Sequence, residues 1–157
     1  MRLALRTSLV AAVAVLMAGA AHATIVNMTA QLDGLQESPP NASPAGGTAT
    51  VVVDTDANTL SYTLTFSGLT AAQTAAHIHG FANLGTNAGV LFGIGVGSPL
   101  SNTWNYSEAQ EANILAGLCY FNVHSGNFPG GEIRGQLLVN PVSVDSKTWS
   151  QVKHLFD

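Results

Sequence analysis

Cysteine is almost absent from this chain. Cys119 stands alone among 157 residues, so no intramolecular disulfide can form and stability must come from packing. Within "GLCYFNVHS" it reads as a small buried apolar residue and not as a reactive thiol. Charge is scarce as well, at 9% of residues, and positive charge scarcer still: five Lys and Arg stand against nine Asp and Glu. A chain so short of cations has little with which to neutralise phosphates, which argues against nucleic acid as a partner. Long hydrophobic runs are missing beyond residue 23. The longest candidate, "GVLFGIGVG", contains four glycines and falls well short of the ~20 residues that cross a bilayer, so no membrane span is expected.

The first 23 residues have a different character. Arg2 and Arg6 precede an apolar run over residues 9–21, and Ala21-His22-Ala23 offers a small-x-small cleavage point, the three-part pattern of a secretory signal peptide. Cleavage there leaves 134 of the 157 residues, enough for one domain. It also removes Arg2 and Arg6. Arg134, Lys147 and Lys153 then face nine acidic residues, a net charge of −6. The short, alanine-rich leader is of the bacterial type and predicts a secreted or periplasmic protein. The expected division is a leader at 1–23, a folded domain at 24–140 and a tail at 141–157.

Within the domain, glycines are many and apolar residues come in short alternating runs, which together predict strands separated by turns. "IVNMTAQLDG" reads as a first strand, and "SPPNASPAGG" as a breaker-rich loop. In "TATVVVDTDANTLSYTLTFSGL" the alternation predicts a hairpin turning at "DTDAN", with Leu60, Tyr62, Leu64 and Phe66 on its buried face. A strand ending in "AHIHG", a short "VLF" strand, and the strands "LCYFNVHS" and "GEIRGQLLVN" follow, with a bulge expected near Gly135. Ser107, with Gln110 three residues on, predicts one short capped helix. Trp149, Val152, Leu155 and Phe156 are spaced helically in the tail. The fold class is therefore all-β: an antiparallel β-sandwich with one short helix and a C-terminal helical tail.

Side chains two apart on a strand share a face and stand roughly 6.5 to 7 Å apart. His77 and His79 should therefore point to one side while Ile78 enters the core. Two such imidazoles can tilt onto one metal ion, each donating a ring nitrogen at about 2.0 Å. On "CYFNVHS" the same parity places Cys119, Phe121 and Val123 on one face and Tyr120, Asn122 and His124 on the other. The alternative is that histidines at strand ends clamp loops by hydrogen bonds to carbonyls. Glu132 and Arg134 share a face on "GEIRGQL" and read as a mutual pair or as anchors for a neighbouring loop. Tyr120 and Asn122 are placed to fix the orientation of the rings.

The motifs "AHIHGFANLGTNAGVLF" and "YFNVHSGNFPGGEIRGQL", with the capped segment between them, resemble the CHRD domain, a module first described in chordin and common in secreted bacterial proteins. The likeness runs from about residue 32 to residue 138. It implies an immunoglobulin-like β-barrel or sandwich and no particular activity. The order of the histidines is also similar to that in copper, zinc superoxide dismutases: His77 and His79 fall on a paired copper-ligand motif, His124 on a late-strand ligand, and Arg134 where an arginine faces the copper. The intervening loop lacks the histidines and aspartate of a zinc site, and Cys119 has no disulfide partner.

Three functions follow as expectations. The leading one is a non-enzymatic secreted domain that binds a transition metal, copper, through His77, His79 and His124, with zinc as the alternative ion. The second is a copper-only dismutase in which Arg134 attracts the anion. The third is a structural or protein-binding module whose histidines are clamps. The sequence identifies no protein partner.

Overall fold

The computed structural model describes residues 24–140. The expected leader at 1–23 and helical tail at 141–157 lie outside the described residues. Nine strands run through the rest: β1 (Ile25–Asp33), β2 (Gly46–Asp54), β3 (Thr59–Ser67), β4 (Gln73–His79), β5 (Val90–Gly93), β6 (Leu100–Asn105), β7 (Tyr120–Ser125), β8 (Ile133–Gln136) and β9 (Leu138–Val139). A 3-10 turn (Gly34–Gln36) follows β1, and one helix, α1 (Glu108–Leu115), precedes β7.

The predicted hairpin is β2–β3, paired without interruption from Gly46↔Ser67 to Asp54↔Thr59. Alternation creates it: Ala49, Val51, Val53, Leu60, Tyr62 and Leu64 are buried, while Thr50, Val52, Ser61 and Thr63 face outward. Asp54 closes the turn by accepting from the backbone N–H of Asp56 and Ala57, each at 3.0 Å, and Asn58 adopts φ 53°. Helix α1 has its expected cap, with the Ser107 N–H donating to Gln110 Oε1 at 2.8 Å and Ile114 buried.

The strands follow the order β5-β4-β7-β8-β1-β2-β3-β6, and every pairing is antiparallel. The sheet rolls up until its two end strands face each other. Phe92 of β5 stacks on Trp104 of β6, with ring centroids 6.2 Å apart and planes 28° apart. Tyr62 of β3 meets Phe121 of β7 edge-on at 5.5 Å across the interior. The all-β sandwich expected from the sequence is thus a single sheet nearly closed into a barrel, with one core.

No bulge interrupts β8. Its ladder with β7 runs unbroken from Val123↔Ile133 to Tyr120↔Gln136. Ile133, Gly135 and Leu137 share one parity, and all three are buried. Gly135 is there for space: a Cβ would lie 2.6 Å from the Gln31 carbonyl oxygen of β1.

Candidate metal centre

Strands β4 and β7 lie side by side, pairing Ala75↔His124, His77↔Asn122 and His79↔Tyr120. Ile78 is fully buried in the core, which turns His77 and His79 to the other face of the sheet. Val123 is likewise buried, turning His124 to that same face. The pairing brings together rings that are 45 residues apart in the chain. Ring centroids stand 5.4 Å apart for His77–His79, 5.0 Å for His77–His124 and 6.2 Å for His79–His124. One ring nitrogen from each of the three lies within 4.8 Å of the other two. Nitrogens each ~2.0 Å from a shared ion stand at most ~4 Å apart, so ring rotations moving a nitrogen by under ~1 Å would close the set.

Hydrogen bonds decide which nitrogens face inward. A carbonyl only accepts, so a ring nitrogen bonded to one carries the proton. His79 Nδ1 donates to the Ala88 carbonyl at 3.0 Å, and His124 Nδ1 donates to the Pro129 carbonyl at 3.0 Å. Both leave Nε2 as a bare acceptor. His77 Nδ1 lies 3.1 Å from His124 Nε2, so in the neutral cluster His77 supplies the proton between them. His79 Nε2 is buried without any partner. Burial holds the imidazoles of His79 and His124 below the usual histidine range, against the opposing effect of their carbonyl partners. Both rings are therefore neutral at pH 7, the state in which imidazole ligates a metal.

The remaining residues singled out in the sequence divide into three roles. Tyr120 stacks on His79, with centroids 5.0 Å apart and planes 7° apart, and its hydroxyl meets both the N–H and the carbonyl of Ala88, at 3.0 and 3.3 Å. Asn122 donates to Glu37 Oε1 at 2.8 Å. Glu132 and Arg134 do not pair with each other; each anchors a different loop. Glu132 accepts from Ser43 Oγ at 2.6 Å and Thr70 N at 2.7 Å. Burial raises its carboxyl, but hydrogen bonds from Ser125, Ser43 and Thr70 bring it below the ordinary value.

Arg134 is fully buried. Its guanidinium lies 3.6 Å from the Tyr120 ring centroid and donates to the carbonyls of Thr86 and Asn83 at 3.0 and 3.3 Å. A guanidinium so occupied does not present its charge to a ligand arriving at the histidines, contrary to the role implied by the dismutase likeness.

Sequence reasoning missed Glu37, Gln136 and two carbonyl groups. Glu37 is buried beside Asn122, and desolvation, only partly offset by Arg134 and the Asn122 bond, pushes its carboxyl up to about 7. It ends the 3-10 turn, just before the breaker-rich loop, where no periodicity reveals which side chain turns inward. Gln136 donates to the carbonyls of Ala82 and Gly117 at 3.0 and 2.7 Å. The Ala88 and Pro129 carbonyls are backbone groups that every residue carries, so no sequence signal marks them.

The CHRD domain family model matches residues 28–137. No curated protein and no solved structure matches the chain.

Proposed function

We propose, for a chain that belongs to the CHRD domain family, that the domain holds a transition-metal ion, copper, on His77 Nδ1, His79 Nε2 and His124 Nε2 and acts as a non-enzymatic metal-binding protein outside the cytoplasm. One observation carries this reading: on two of the rings the outer nitrogen is bonded to a carbonyl, while the inner nitrogens converge and one of them is buried without a partner. Clamping histidines would make the same carbonyl bonds. They would account for the His77–His124 hydrogen bond, but they would have no reason to turn the bare His79 Nε2 toward the same point, where its desolvation is uncompensated. A cation relieves that cost, and it takes the place of the proton between His77 and His124 as that proton moves to the far nitrogen of His77.

Three imidazoles suit copper and zinc, and copper(II) binds the more tightly of the two. The leader-like sequence pattern of residues 1–23 supports export before the domain works. The dismutase reading is not favoured, because Arg134 is turned into the protein.

Calorimetric titration of the purified chain with copper(II) and zinc(II) tests the proposal. One equivalent of copper should bind at sub-micromolar Kd, more tightly than zinc, and the His77→Ala, His79→Ala, His124→Ala triple variant should lose the binding. Equal copper binding by the triple variant, or none by the native chain, would defeat it.

A further inference from the structure

The segment 80–89 has no strand or helix of its own, yet its Ala88 carbonyl determines which nitrogen of His79 carries the proton. Such a loop holds a carbonyl in place only if something holds the loop. Its two ends are joined by the Gly80 N–H donating to the Gly89 carbonyl at 3.2 Å. Between them, Arg134 gathers the Thr86 and Asn83 carbonyls in one planar fork, and its third acceptor, Gln136 Oε1 at 3.0 Å, belongs to a side chain that itself donates to the Ala82 carbonyl. Because β7 lies between β4 and β8, the Tyr120 ring separates His79 from Arg134 and contacts both. Arg134 thus reaches His79 along two routes: through the loop to Ala88, and through the Tyr120 ring and hydroxyl, which also ends on Ala88.

Resting on the metal-site reading, we propose that Arg134 is a positioning residue for that site: by fixing loop 80–89 and the Tyr120 ring it keeps the proton on His79 Nδ1 and leaves Nε2 free to ligate. It never contacts the metal. Its guanidinium does for His79 what the shorter Pro129 turn does for His124, adding two carbonyl anchors to a ten-residue loop that is otherwise tied down by Ser38, through Gly85 and Asn87, and by the Ala82–Leu118 backbone bond.

The tautomer is measurable without any metal, by long-range proton–nitrogen NMR on the imidazoles of the labelled chain. His79 should show Nδ1–H in the native protein and a mixture of tautomers in Arg134→Gln and Arg134→Lys, because a lysine cannot span both carbonyls. Tyr120→Phe keeps the ring stack and removes only the hydroxyl, so it serves if the Arg134 variants fail to fold; it too should mix the tautomers. In the same variants copper affinity should fall about 10- to 100-fold and the copper(II) EPR spectrum should change. An unaltered His79 tautomer in folded Arg134→Lys and Tyr120→Phe would overturn the inference. A native chain that takes no copper would defeat the metal reading instead, with the tautomer comparison still deciding the role of Arg134.

Discussion

At the scale of single residues, Glu37 shows how closely the polar layer around the histidines is packed. Gly131 has φ +134°, and a Cβ on it would collide with Asn122 Nδ2 and the Glu37 carboxylate, so the glycine makes room for the Glu37–Asn122 bond. Because the folded carboxyl is raised to about 7 from an ordinary 4.5, its stabilising contribution is full below pH ~4.5 and is lost as pH rises through about 7. Glu37→Gln keeps an acceptor for Asn122 without the charge. It should be nearly neutral at pH 5 and stabilise the domain at pH 8 by on the order of 2 kcal/mol, allowing for solvent screening of a carboxyl that is not fully enclosed, as read by urea melts at the two values. Cys119 behaves as its lone occurrence suggests: it is fully buried, and burial pushes its thiol up to about 12, far from a reactive thiolate.

At the scale of elements, the seam between β5 and β6 closes the barrel without a hydrogen-bonded ladder. Trp104, 6% exposed, fills it by packing on Phe92 and on Tyr106. Trp104→Ala should cost about 3 to 5 kcal/mol in a urea melt and speed amide exchange in β5 and β6 first. Leu138→Ala, at a side chain 57% exposed, should stay within ~0.5 kcal/mol. The hairpin β2–β3 was legible in the sequence because alternation and turn chemistry are both local. The placement of β4 beside β7 was not, because neither strand carries a sign of its partner and more than forty residues separate them. The supposed bulge near Gly135 has a related origin: the glycine answers to β1, a strand a hundred residues earlier.

At the scale of the whole molecule, the proposed metal binding would be linked to stability, since an ion that binds only the folded chain must raise its apparent stability. Copper at about 1,000 times its Kd should add ~4 kcal/mol and raise Tm by on the order of 15 °C, an effect that a chelator reverses and the triple alanine variant lacks. The pH dependence has a definite sign. His79 and His124 are held below the usual histidine range, so the folded state favours their neutral forms. Stability from this source is present above pH ~6.5 and is lost as pH falls through the lowered values, because the unfolded chain binds protons first. Copper binding should weaken over the same interval, as protons compete for the nitrogens. Melting curves at pH 5.5 and 7.5, each with and without copper, check both statements.

The two-residue period of a strand, a property of the local backbone, was enough for the sequence to put His77 and His79 on one face, to turn His124 away from Phe121 and Val123, and to define an all-β chain with one capped helix. Only the tertiary structure decided that the two faces are one face, that Arg134 points inward to a loop and not outward to a ligand, and which nitrogen each ring turns to the centre. Those choices depend on strand pairing and on carbonyl groups of distant turns, and a carbonyl is chemically the same at every residue until folding gives it a direction.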